Sequence, residues 1–312
     1  MASLRDIRDR IKTVKNTQQI TRAMKMVAAA KLRRAQERIF NTRPYAFKIR
    51  ELIGHLRSGV DPSSHPLFQA RESVDAALVV VVTSDRGLAG AFNANILKKA
   101  EATIAERYAD LEAAGGLYIL AVGRKSHEHF SKRGYQMVMD TDGADFRGVF
   151  NSLSVTQATR VIESAMEGWD AGRWDEVTVV YNEFKNTITQ NRIAEQLIPI
   201  PADGFLTPVM QASEDYIEAE DNGEVEYIFE PNAQRLLDDL VPRFLTYQLW
   251  RMLLESNAAE QGARMVAMDN ATTNAGELLK DLKLTYNRAR QAAITTEIIE
   301  ISSGAEALKA AS

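Results

Sequence analysis

From Met268 to Ile299 one set of residues recurs at alternating intervals of three and four: Met268, Ala271, Ala275, Leu278, Leu282, Thr285, Ala289, Ala292, Thr296 and Ile299. Two threonines are its only polar members, and the alternation holds for more than four heptads. Such a stripe is the seam of a long helix made to lie against another helix. Alanine at many of its positions lets two backbones approach closely, and no proline follows Pro242. At about 1.5 Å per residue, residues 257 to 306 would span about 75 Å. A compact domain of 312 residues has a radius of gyration under about 20 Å, so this helix is expected to protrude and to require a partner.

The other end of the chain supplies one. Leu4, Ile7, Ile11 and Val14 fall on one helical stripe, with Ser3 as N-cap and Asp6 at the capping-box position. Past Val14 the stripe should run through Gln18, Thr21 and Lys25, yet apolar residues stand at Ile20, Met24 and Val27. This predicts a local disturbance of the seam. Between Ala23 and Ala30 six of eight residues are Ala or Met, a surface expected to be covered on more than one side or to slide against something. Pro44 predicts a kink or break, and the pattern resumes at Ile49, Leu52, Ile53 and Leu56. Residues 3–57 and 233–308 are therefore expected to pair antiparallel as a shaft.

Between them the period changes. Ala76 to Val82 reads as a buried strand, with a turn at Ser84 to Gly90 and a helix through about Ala113. Strands follow at Leu117 to Val122, Tyr135 to Met139 and Val177 to Phe184, separated by helices near Lys125 to Arg133 and Val155 to Trp169. Thr187 to Ile198 and Val225 to Phe229 read as edge or hairpin strands. The expected fold is α/β: a central, doubly wound, mostly parallel sheet in a Rossmann-like domain over 70–230, joined to a long antiparallel coiled coil of the terminal helices.

Charge and composition narrow the function. Residues 1 to 60 hold 15 Lys/Arg against 4 Asp/Glu, a surplus of plus 11 in a chain of net charge minus 4. Nine carboxylates lie between Asp203 and Glu230 with no basic residue among them. A basic end and an acidic loop suggest contacts selected by charge. The absence of cysteine removes disulfides, thiolate metal sites and cysteine nucleophiles. The longest apolar run, Ala76 to Val82, is too short to span a bilayer. Asp6 and Asp9 interrupt the amphipathic N-terminus, which argues against a transit peptide.

No stretch carries a catalytic constellation. TSDRGLAGAFN follows a strand, but it lacks both the G-x-G-x-x-G spacing and the GK[ST] of a phosphate-wrapping loop. His127 and His129 flank Glu128, and helical positions two apart face different ways, so no metal site is read there. There is no G-x-S-x-G. The basic helix with Arg22, Lys25, Lys31, Arg33, Arg34 and Arg38 could hold a phosphate backbone, but its charges are dispersed around the helix. A nucleotide-binding α/β enzyme and a basic coiled-coil nucleic-acid-binding protein stay as the two rival readings.

IRDRIKTVKNTQQITRAMKMVAAAKLRRAQ, SDRGLAGAFN and the C-terminal ITTEIIEISSGAEA together resemble the γ subunit of bacterial F-type ATP synthases. The resemblance implies a rotor without a catalytic site. Its paired helices would enter a ring of three α and three β subunits. Its middle domain would rest, with an ε-type subunit, on the c ring, in one copy per complex. The chain would be peripheral to the cytoplasmic side of the inner membrane, held there through the c ring only. It would bind no nucleic acid, metal or cofactor, ATP, ADP and Mg being bound by partner subunits. Carried over by position, Met24 would couple rotation near the rim of β, with Lys31 and Arg34 toward acidic β loops. Arg264, Arg290, Gln291 and Thr295 would touch α and β, and Tyr45, Tyr227 and Glu230 would seat the foot on the c ring and ε. Asp85 and Arg86 belong to the family turn. Ala89 and Ala91 depart from its usual pattern, Pro242 falls inside expected helix, and the acidic insert over 213–223 is unassigned.

Overall fold

The computed structural model describes residues 3–59, 65–140, 142–201 and 232–310. The element order is α1 (Leu4–Gly59), β1 (Ala77–Val82), α2 (Phe92–Arg107), α3 (Ala109–Ala114), β2 (Leu117–Val122), α4 (Arg124–Ser131), β3 (Gln136–Met137), α5 (Val155–Asp170), β4 (Glu176–Phe184), β5 (Gln190–Ile198) and α6 (Ala233–Ala310). The chain divides into two units, residues 1–28 with 265–312, and residues 29–264. The expected strand at Val225 to Phe229 and most of the acidic stretch lie outside the described residues.

In the first unit the ends of α1 and α6 pack antiparallel. Arg8 donates to the Tyr286 hydroxyl at 2.9 Å, the hydroxyls of Thr21 and Thr272 meet at 2.8 Å, and Lys25 pairs with Asp269 at 2.6 Å. As the α1 residue advances, its partner retreats by the same amount to within one residue. The predicted capping box is present: Asp6 N–H donates to Ser3 Oγ at 3.1 Å, and Ser3 N–H to Asp6 Oδ2 at 3.0 Å.

The predicted disturbance after Val14 is absent. The seam keeps its period through Gln18 and Thr21 to Ala28, with Thr21 and Ala28 buried, while Ile20 and Val27 are more than half exposed. A polar layer replaces the missing apolar one: each threonine hydroxyl meets the other and a carbonyl of its own helix, Gln18 O or Met268 O. The Gln18 side-chain amide reaches Thr272 O at 3.4 Å. Polarity had disguised a regular stripe as a broken one.

On α6 the seam takes Leu279 and Tyr286 where Leu278 and Thr285 were expected, and both expected residues are exposed. Adjacent residues are alternative members of a three-four repeat, and Leu278 and Leu279 are chemically identical, so periodicity could not choose between them. The seam ends at Ala289. Leu4 opens α1, so by the same antiparallel progression α6 runs out of partner near Arg290, and Ala292, Thr296 and Ile299 are exposed.

The second unit contains a five-stranded sheet ordered β3-β2-β1-β4-β5, parallel except for β5, which pairs antiparallel with β4. Every residue of β1, ALVVVV, is buried, as a central parallel strand covered on both faces requires. Ile96, Ala100 and Ile104 of α2 and Phe130 of α4 cover one face. Val161, Ile162 and Trp169 of α5 and Leu245, Leu249 and Leu253 of α6 cover the other. The predicted third strand shrinks to two residues. The predicted helix to Ala113 breaks at Tyr108, whose buried hydroxyl bonds Glu176 and Thr178 of β4. Neither Pro44 nor Pro242 ends its helix; each removes one N–H donor from an otherwise continuous element.

Gly168 on α5 lies against the fully buried Trp174, whose indole N–H donates to Ala165 O at 2.9 Å. A Cβ at position 168 would overlap that ring. Gly168→Ala should cost about 2–3 kcal/mol, read as a lower denaturant midpoint at unchanged m-value.

Candidate functional site

In doubly wound sheets ligands bind beyond the carboxyl ends of the strands, where the chain leaves in opposite directions from neighbouring strands. Here that point lies between β1 and β4. The turn after β1 is held from within: Ser84 Oγ donates to Arg86 O at 2.7 Å, and Asn93 Nδ2 donates to Ser84 Oγ at 2.8 Å. Leu88 takes a left-handed φ of 64° and is largely exposed.

Asp85 decides what this turn can hold. Its Oδ1 accepts from the backbone N–H of Arg124 at 3.0 Å and of Gly148 at 2.7 Å, and its Oδ2 accepts from Phe150 at 3.1 Å. Arg124 is the first residue of α4, so the carboxylate sits where a helix N-terminus would offer itself to a phosphate. Gly123 makes room for this return: its φ is 101°, and a Cβ there would collide with the carbonyl of Thr83. The anion position is filled by the chain's own side chain.

The crevice is filled too. Ala89 and Phe92 pack on Ala259 of α6, with Phe184 and Ala263 beside them. Arg264 is 8% exposed and donates to Gly87 O at 2.6 Å while pairing with Glu260 one turn earlier. Burial raises the Glu260 carboxyl above its ordinary range, and Arg264 opposes the shift. Glu260 and the Gly87 carbonyl escaped the sequence reading, although the four-residue spacing of Glu260 and Arg264 is a helical pairing signal. Among the described residues no cluster of three or more His, Asp or Glu could hold a metal ion. The geometry binds α6 to the turn.

The other candidate residues scatter. Met24 is half-buried, beside the exposed Ile20, Met26 and Val27. Lys31 and Arg34 are exposed on α1, as are Arg290, Gln291 and Thr295 on α6, where the Thr295 hydroxyl donates to Gln291 O at 2.9 Å. Tyr45 is 43% exposed, with its ring centroid 4.0 Å from that of Tyr247. Tyr227 and Glu230 lie outside the described residues. Of the described members of the set only Arg264 is turned inward.

A long helical pairing, a filled crevice and solvent-facing basic residues describe a chain built for protein contact. The ATP synthase family model matches residues 3–308. The ATP synthase γ chain of Salinibacter ruber is 58% identical over 310 residues, covering 99% of both chains. The chain belongs to the ATP synthase γ family. The γ chain of Chlorobaculum tepidum is 50% identical over 309 residues, 99% of this chain and all of that one. In fold, the chain is similar to one in the rotor of the Euglena gracilis mitochondrial ATP synthase, with a TM-score of 0.61 at 21% identity over 93% of this chain and 98% of that one. It is similar also to one in the central stalk and c ring of the Tetrahymena thermophila mitochondrial enzyme, with a TM-score of 0.56 at 24% identity over 81% and 99%. As a γ chain it is a non-catalytic rotor subunit of the central stalk, serving ATP synthesis and proton transport. That role agrees with the absence of a catalytic constellation in the sequence.

Asp85→Ala would strand three backbone donors at once. It should cost roughly 2–4 kcal/mol and speed amide exchange at Arg124, Gly148 and Phe150, which hydrogen-exchange spectroscopy would read.

Proposed function

We propose that this γ chain is the turning central stalk, with residues 3–57 and 233–308 as shaft and residues 70–230 as foot. The shaft occupies a ring of three α and three β subunits; the foot rests on the c ring with an ε-type subunit. One observation carries the reading. From Gln291 to Ala305 every residue of α6 is exposed, and Ile294, Ile298, Ile299 and Ile301 are among them. An isoleucine-rich helix end without a partner in its own unit is a surface for other chains.

The chemistry of turning follows from differential contact. Moving a β subunit from 1:99 to 99:1 in favour of one conformation takes about 5.5 kcal/mol of difference between states. No contact can hold too firmly, since each must break three times per turn. Exposed Ile, Met and Val near Met24 adhere weakly and without direction, while Lys31, Arg34 and Arg290 add attraction that salt and solvent screen. Met24, Lys31, Arg34, Arg290, Gln291 and Thr295 are proposed to meet α and β, and Arg264, expected among them, is proposed to support that contact by holding α6 in place. Tyr45, Tyr227 and Glu230 are proposed for the c ring and ε. No described helix is long and apolar enough to cross a membrane; attachment through the c ring at the cytoplasmic face of a bacterial inner membrane is part of the proposal. ATP, ADP and Mg belong to the partner subunits.

Co-purification from native membranes tests the assembly: the chain should be recovered with α, β and c subunits, and recovery without them would sink the proposal. Met24→Lys should reduce proton-driven synthesis severalfold more than ATP hydrolysis in assembled complexes; equal losses would remove Met24 from coupling. Glu230→Lys should weaken retention of the c ring on washing, and unchanged retention would release that residue from the foot.

A further inference from the structure

Where α6 crosses β4 and β5, two carboxyl groups, Glu195 and Glu255, face a single guanidinium, and a third, Glu183, lies close enough to Glu255 to repel it. Arg251 is 5% exposed; its Nη1 donates to Tyr181 OH at 3.1 Å and to Glu255 Oε1 at 3.4 Å, and its Nη2 reaches Glu195 Oε2 at 3.3 Å. Its Nε donates to Gln248 at 3.1 Å, and the Tyr181 hydroxyl donates to Glu195 at 2.9 Å. Glu183 is fully buried on the same face of β4 as Tyr181; one oxygen accepts from Asn191 at 2.8 Å and the other has no partner. The second oxygen of Glu255, also buried, has none either.

Ionising all three carboxyls would leave two uncompensated negative charges and two bare carboxylate oxygens in a water-poor interior, the most costly arrangement there for such groups. Both bare oxygens belong to groups that repel each other, and a proton on one of them relieves the repulsion and half the desolvation. We propose that this cluster is a proton-binding site: the folded chain carries a proton on Glu255, and releasing it loosens the seat of α6 on the β4–β5 hairpin.

The charges that face Glu255 agree. Burial is the foremost cause raising its carboxyl to about 7, Glu183 and Glu195 push the same way, and Arg251 opposes them. The unfolded chain keeps the ordinary carboxyl value near 4.5. Between these values the folded state binds a proton that the unfolded state lacks, so stability falls as pH rises from about 4.5 through about 7 and then levels off. Glu260, raised by burial, acts in the same direction, and His65, lowered by burial, acts in the opposite one. A neutral isostere at position 255 therefore has to be compared with the parent chain.

The test is the unfolding equilibrium of the full chain in denaturant at pH 5 and at pH 8. Wild type should lose stability across that interval by about 50-fold more, in the equilibrium constant, than Glu255→Gln. Equal pH slopes in the two proteins would overturn the proposal. Infrared spectroscopy of the wild-type chain keeps it falsifiable if that variant does not fold. A protonated-carboxyl carbonyl band should persist at pH 6, where exposed carboxylates are ionised, and vanish by pH 8; its absence at pH 6 would also overturn the proposal. Glu183→Gln, which removes the facing charge, should move the loss of that band to lower pH, and an unmoved midpoint would exclude the coupling.

Discussion

The burial of α6 from Gln248 to Arg264 is the constraint on which the second unit depends. Nearly every residue in that stretch is buried, although Gln248, Arg251, Glu255, Ser256, Glu260, Gln261 and Arg264 are polar. A helix covered on all sides is ordinarily apolar all round. This one reaches the same end by pairing its charges: Arg251 with Glu195, and Arg264 with Glu260 and a backbone carbonyl. Such pairs contribute little net stability, but losing one member is costly because the other is left buried. They fix where α6 lies on the sheet more than how tightly it is held.

That placement accounts for the use made of the fold. A doubly wound sheet offers a ligand crevice at its switch point, and many chemistries occupy it in other proteins. Here Ala259 and Ala263 fill the crevice while Asp85 takes the amides that would meet a phosphate. The architecture is kept and the crevice at its switch point is filled, which suits a non-catalytic subunit.

The long period of both ends and the alternation of strands and helices were legible in the sequence because each follows directly from burial geometry. The capping box at Ser3 and Asp6 was legible for the same reason, being a local pattern with one structural solution. What was not legible depended on groups brought together from afar. Thr21 looked like a fault in its stripe because its hydrogen-bonding partner, Thr272, lies 251 residues away. Leu278 and Leu279 could not be ranked because they are identical. The polar run of α6 around Glu255 reads as a solvated face until the strands that cover it are known. Arg264 was expected at a contact with other chains by resemblance alone, and its inward turn follows from the Gly87 carbonyl, which no side-chain pattern records.

The threonine layer in the first unit gives that seam one favoured register. A one-heptad displacement of one helix past the other would keep the three-four period in step. It would also set Thr21 against Met265 or Leu279 and part Lys25 from Asp269. Displacement is thus confined to discrete steps, each with a penalty.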